Sequence, residues 1–84
     1  MKLKAGQEVF FIVKDEDKRE LSYQKATFLY AVSGGHKGRC RISTIFNGQE
    51  LQFTVPRTFV YTSENDVRSQ VYIQAMLFGW RAAI

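Results

Sequence analysis

Asn47-Gly48 stands between two runs of alternating polarity, and no other dipeptide in this 84-residue chain limits the fold so sharply. A two-residue hairpin turn of type I′ needs positive φ at both central positions, which asparagine and glycine tolerate best. Upstream, Arg39 to Phe46 alternates, with Cys40, Ile42, Thr44 and Phe46 on one face and Arg39, Arg41 and Ser43 on the other. Downstream, Leu51, Phe53 and Val55 repeat an apolar face, with Gln52 and Thr54 pointing away. Pro56 ends that run, because it brings no ladder donor. The segment therefore predicts two antiparallel strands, and the rest of the fold must be built around them.

Val9 to Val13 is β-branched and aromatic and predicts a first strand, apolar on both faces and so covered in part on both sides. Asp15 to Glu20 carries charges of both signs and predicts a solvated loop. Leu21 to Val32 predicts a second, longer strand with a bulge or bend near Gln24-Lys25. Ser33 to Gly38 is a glycine-rich loop. Phe59 to Tyr61 predicts a short fifth strand. Ser63 then has the form of a helix N-cap, with Glu64 and Asp66 in the first turn, where they meet the positive end of the helix dipole. The helix is expected over about 64–83, and the whole chain as one domain.

Composition narrows the class. Hydrophobic residues make up 45% of the chain and charged residues 24%, the balance of a folded soluble domain rather than a disordered one. Cys40 is the only cysteine, so no intramolecular disulfide forms, and a lone thiol fits a reducing cytoplasm. No run approaches the length of a membrane span, and no signal-peptide pattern opens the chain. The expectation is a complete, short, cytoplasmic protein. Twelve Lys and Arg against eight Asp and Glu leave a net charge of +4, which permits a polyanionic partner without requiring one.

Gly6-x-x-Val9, Tyr23-x-x-Ala26-x-Phe28 and Ile45-Phe46-Asn47-Gly48 together resemble the Tudor-like and KOW-like branch of SH3-like barrels, over about residues 4–62. The resemblance implies a mostly β, α+β fold: a five-stranded antiparallel SH3-like barrel followed by one C-terminal helix. The stretch Phe59 to Glu64 is similar to the strand-to-helix junction of many short bacterial and phage proteins. Members of this branch read methylated Lys or Arg in an aromatic cage. Here only Tyr23 and Phe46 stand at cage positions, while Ser22 and Asn47 replace the other rings, so the resemblance does not extend to that activity.

Two surfaces remain as candidates. On a helix of 3.6 residues per turn, Val67, Val71, Ala75, Phe78 and Ala82 form one stripe and Ile73, Leu77, Trp80 and Ile84 form another. One small barrel buries a single stripe, unless the helix bends at Gly79 and tucks both under. The second stripe is then expected to bind a protein partner or a second copy of the chain. The alternative is nucleic-acid binding through Lys25, Lys37, Arg39 and Arg41 around the glycine-rich loop 34–41, where backbone N–H groups and cations can meet phosphates. Lys37 is followed by no Ser or Thr, and the phosphate-loop spacing is absent. His36 and Cys40 are too few for a zinc site. No nucleophile, base and orienting group are brought together by any motif, so catalysis, cofactors, metal and a small-molecule substrate are not expected.

Overall fold

The computed structural model describes residues 3–32 and 38–84. Strands β1 (Glu8–Asp15), β2 (Glu20–Val32), β3 (Arg39–Phe46) and β4 (Gln49–Pro56) form an antiparallel meander. A single 3-10 turn, Arg57–Phe59, leads into β5 (Val60–Tyr61), and α1 spans Glu64–Phe78. A last strand, β6 (Arg81–Ala82), lies parallel to β2. The strand order is β4-β3-β2-β1-β5, so β4 and β5 are the two ends of the path and do not pair with each other.

The central hairpin is as expected. Asn47 has φ 52° and Gly48 φ 78°, both in the left-handed region that the tight turn demands. The β1–β2 register runs unbroken from Glu8↔Thr27 to Asp15↔Glu20, so no bulge occurs at Gln24-Lys25. The irregularity lies further along β2, where Phe28 pairs with Ile42 and Tyr30 with Arg41. Leu29 is the extra residue there, and it re-aims the end of β2.

Two apolar clusters hold the molecule together, one on each face of β1–β2. Val9, Ala26, Phe28, Cys40, Ile42 and Val60 are buried on one side, with Leu3, Phe11 and Val55 against them. Leu21, Val71 and Ala75 are buried on the other, beside Ile12, Tyr23, Trp80 and Ala82. The apolar doublet pattern of β1 thus matches a strand sandwiched between the sheet's own concavity and the helix.

The helix is shorter than its periodicity suggests, and it ends for a local reason. Gly79 takes φ 70°, its N–H donates to the Met76 carbonyl, and the Trp80 N–H donates to the Ala75 carbonyl at 2.8 Å. This is a Schellman cap, completed by the apolar contact of the residue after the glycine with the last turn. Beyond it the chain turns back along β2: Arg81 N–H donates to the Arg19 carbonyl and Ala83 N–H to the Leu21 carbonyl, and Arg81 pairs with Glu20. The expected helix over 64–83 is therefore corrected to Glu64–Phe78, with a sixth strand after it.

Candidate functional site

The helix is amphipathic in an unusual sense, because both of its sides are apolar and only one is covered. Val67 and Val71 are fully buried and Ala75 nearly so. On the far side Met76 is 80% exposed, Leu77 77% and Ile73 48%, with Tyr72 beside them. The expected second stripe is thus present for Ile73 and Leu77. It does not extend to Trp80 or Ile84. Trp80 lies beyond the cap, only partly exposed, against the buried helix face, and its ring meets Phe78 at 5.8 Å between centroids. Ile84 is exposed, but it follows β6 rather than the helix. The same glycine that ends the helix takes Trp80 off the exposed stripe.

The start of the helix is fixed as firmly as its end. The Ser63 hydroxyl accepts the Asp66 N–H at 3.3 Å. Tyr23 on β2 donates its hydroxyl to Glu64 Oε2 at 2.6 Å and accepts from Arg68 Nη2 at 3.2 Å. That hydrogen bond to Tyr23 is the main reason the Arg68 guanidinium is held above its ordinary pKa. Tyr23 is thus a clamp between sheet and helix, not part of an aromatic cage.

Between α1, β1 and β5 lies an open-sided apolar cleft of about 560 Å³, lined by Ile12, Lys14, Phe59, Tyr61, Gln74 and Phe78. It exists because β5 is only two residues long. β5 pairs with Phe10 and Phe11 of β1 and leaves the next residues of that edge uncovered. Phe59, on the turn before β5, and Phe78, at the helix end, stand exposed at this cleft. Lys14 holds its ammonium 5.2 Å from the Phe78 ring centre and supplies a cation at the rim. Phe59 and Tyr61 escape sequence reasoning as surface residues, since a Phe-Val-Tyr run reads as an ordinary strand. The signal was its brevity after Pro56.

The basic residues do not converge. Lys37 and His36 lie outside the described residues. Arg39 is exposed, whereas Arg41 lies across β4, donating to Thr54 Oγ1 at 2.9 Å and to Gln52 Oε1 at 3.5 Å. Lys25 pairs with Glu8 at 3.3 Å. Thr27 is opposite Ser43, and Lys25 lies two residues further from Arg39, so the two cations are separated by roughly 20 Å along the strands. Lys25 thus stands apart from Arg39 on the sheet.

A second, polar cleft lies between Glu8, Gln24, Lys25, Thr27, Ser43 and Glu50. Its side chains hold one another. Gln24 donates to Thr44 Oγ1 and the Ile45 carbonyl, Ser43 donates to Glu50 Oε2 at 2.7 Å, and Thr44 donates to the Lys25 carbonyl. Ser43, expected to face solvent, is buried by this network. Among the described residues every buried side-chain nitrogen and oxygen has a partner, and no three His, Cys, Asp or Glu side chains cluster. No described helix is long and apolar enough to cross a membrane. Comparison with protein-family models, curated proteins and solved structures gives no match for the chain.

Proposed function

We propose that this chain is a non-catalytic interaction module that docks a protein partner on the outer face of α1 and the adjoining cleft. The observation that carries the reading is that Ile73, Met76 and Leu77 are all exposed on the side of α1 away from its buried residues, while Phe78 at the end of the same helix lines an apolar cleft with Phe59. Scattered exposed apolar residues are ordinary, but several large ones gathered on one helix face mark a contact surface. Met and Phe suit the role, being adaptable or large anchors that interfaces favour. The helix is capped at both ends and clamped through Tyr23, so little order would have to be gained on binding. The SH3-like barrel belongs to the same proposal. Its support is the curling of the sheet that brings β4 toward β1, three strands away, where the Phe11 and Phe53 rings lie 6.4 Å apart.

Nucleic-acid binding draws less support, since Lys25 is neutralised by Glu8 and distant from Arg39, and Arg41 is engaged by β4.

A photoreactive amino acid at Met76, compared with one at Asn65 near the helix start, tests the docking reading in the cells that make the protein. A discrete covalent adduct from position 76 that is absent from position 65 and lost on Leu77→Asp is expected. Equal labelling at both positions, or none at position 76, ends the proposal.

A further inference from the structure

The β4 edge carries a second surface, independent of the helix. Among the described residues β4 pairs only with β3, and Gln49 to Thr54 are all exposed. The two-residue turn makes Phe46 and Gln49 the closing pair, so odd-numbered residues of β4 direct their backbone N–H and C=O groups to β3. Those of Glu50, Gln52 and Thr54 point outward. Such an edge is ordinarily blunted by Lys, Pro, a bulge or a covering segment. This one has no Lys and no register shift against β3, and its proline comes only at position 56.

We infer that β4 is a self-association strand, pairing antiparallel with β4 of a second copy about a two-fold axis at Gln52. The register follows from the pattern of free groups. Only the alignment that places Gln52 opposite its own copy, and Glu50 opposite Thr54, pairs all three outward-facing residues. Sliding one way brings Glu50 toward Glu50 of the second copy; sliding the other brings in Pro56, which has no N–H to give. In the favoured register Leu51 faces Phe53 of the second copy, on the same side of a continuous sheet, and covers apolar surface now in water.

Charge selects a second copy as the occupant. Glu50 is the only charged residue on β4, and its counterpart across the axis is Thr54. Thr54 is the residue over which Arg41 extends from β3, bonding it at 2.9 Å. Each copy thus brings one carboxylate to the place where the other holds a guanidinium at the edge, twice by symmetry. The strand is complementary to itself in hydrogen bonds, in apolar face and in charge.

Thiol cross-linking reads the register directly. In a full-length Cys40→Ala background, Leu51→Cys and Phe53→Cys proteins are purified separately and then mixed under mild oxidation. Opposed residues of a non-hydrogen-bonded pair lie about 4.5 Å apart at Cα, within disulfide reach. The expected result is a linked dimer in the mixture and little in either protein alone. Sedimentation of the unmodified chain should give twice the monomer mass. Gln52→Pro removes an outward N–H without touching the β3–β4 ladder, and should give the monomer mass with an unchanged circular dichroism spectrum. Glu50→Arg should also dissociate the dimer, and adding Arg41→Glu should restore it. A wild-type monomer at every concentration overturns the inference. So does cross-linking of Leu51→Cys to itself, or a dimer that survives Gln52→Pro and dissociates on Leu77→Asp. Because Leu77 is remote from β4 in this scheme, loss of the helix docking reading leaves these outcomes untouched.

Discussion

The two hairpins of the sheet are built from the same alphabet and end in opposite circumstances. β1–β2 is covered on both faces, by the sheet's own concave core and by α1, with β6 laid along β2 as well. β3–β4 is covered on β3 and bare along β4 from Gln49 to Thr54. Leu21 and Leu51 make the contrast concrete: each is a leucine on a strand of its hairpin, yet one is 0% exposed and the other 38%. Alternation reports which face of a strand is apolar. It does not report whether anything lies on that face, because cover is supplied by elements distant in the chain.

The same substitution in the two places is the strongest way to break this contrast. Leu21→Ala empties a site packed by Val71 and Ala75 and should cost about 2–5 kcal/mol in denaturant unfolding. Leu51→Ala removes side-chain area already largely in water and should cost no more than about 1 kcal/mol, measured on the monomer at low concentration. Equal losses would mean that β4 is covered after all.

The cover over β1–β2 depends on the helix turning back at its end, which Gly79 permits. Gly79→Ala forces a side chain into φ 70° and should destabilise by about 1–2 kcal/mol, with hydrogen-exchange protection lost first at Trp80 and Ala83. Loss of protection in β4 instead would show that the two hairpins are coupled more tightly than their packing indicates. At the other end of the helix, Ser63→Ala removes the cap that accepts the Asp66 N–H and should cost about 1 kcal/mol. Thermal unfolding with both variants separates the contributions of the helix ends.

Local chemistry was legible in the sequence and distant cover was not. The Asn47-Gly48 turn, the Ser63 cap and the bounds of β3 are set within a few residues by dihedral preference and capping geometry, and reading them needs no knowledge of the rest. Gly79 read only as a place where the helix could bend, because the helical period ran through it and masked the Schellman stop. Carrying that period to Ile84 put Trp80 on a free stripe, when the cap in fact folds it against Ala75. Ile73 and Leu77 lie within the true helix and kept their predicted exposure. The cleft at Phe59 and Phe78 had no sequence signature, because it arises where a two-residue β5 fails to cover the edge of β1.

The smallest expected effect sharpens the comparison within a single ladder. Cys40 lies opposite Val55 at one end of β3–β4, and it is buried in the concave core. Burial pushes its thiol above the ordinary value, and the charge of Arg57 pulls it back only in part. The folded state therefore holds this proton more tightly than the unfolded state does. Stability from this source is whole below the ordinary thiol pKa and declines as pH rises through the raised value of the folded protein. Cys40→Ala should abolish that alkaline slope while leaving the neutral range shaped by packing alone. Reactivity gives the same contrast without titration. On the monomer at low concentration, a thiol placed at Leu51 should react with a disulfide reagent at the rate of an exposed cysteine, whereas Cys40 should wait for the sheet to open. If Cys40 reacts as quickly at neutral pH, the core ends short of β3, and the boundary between covered and bare strands must be redrawn one strand further in.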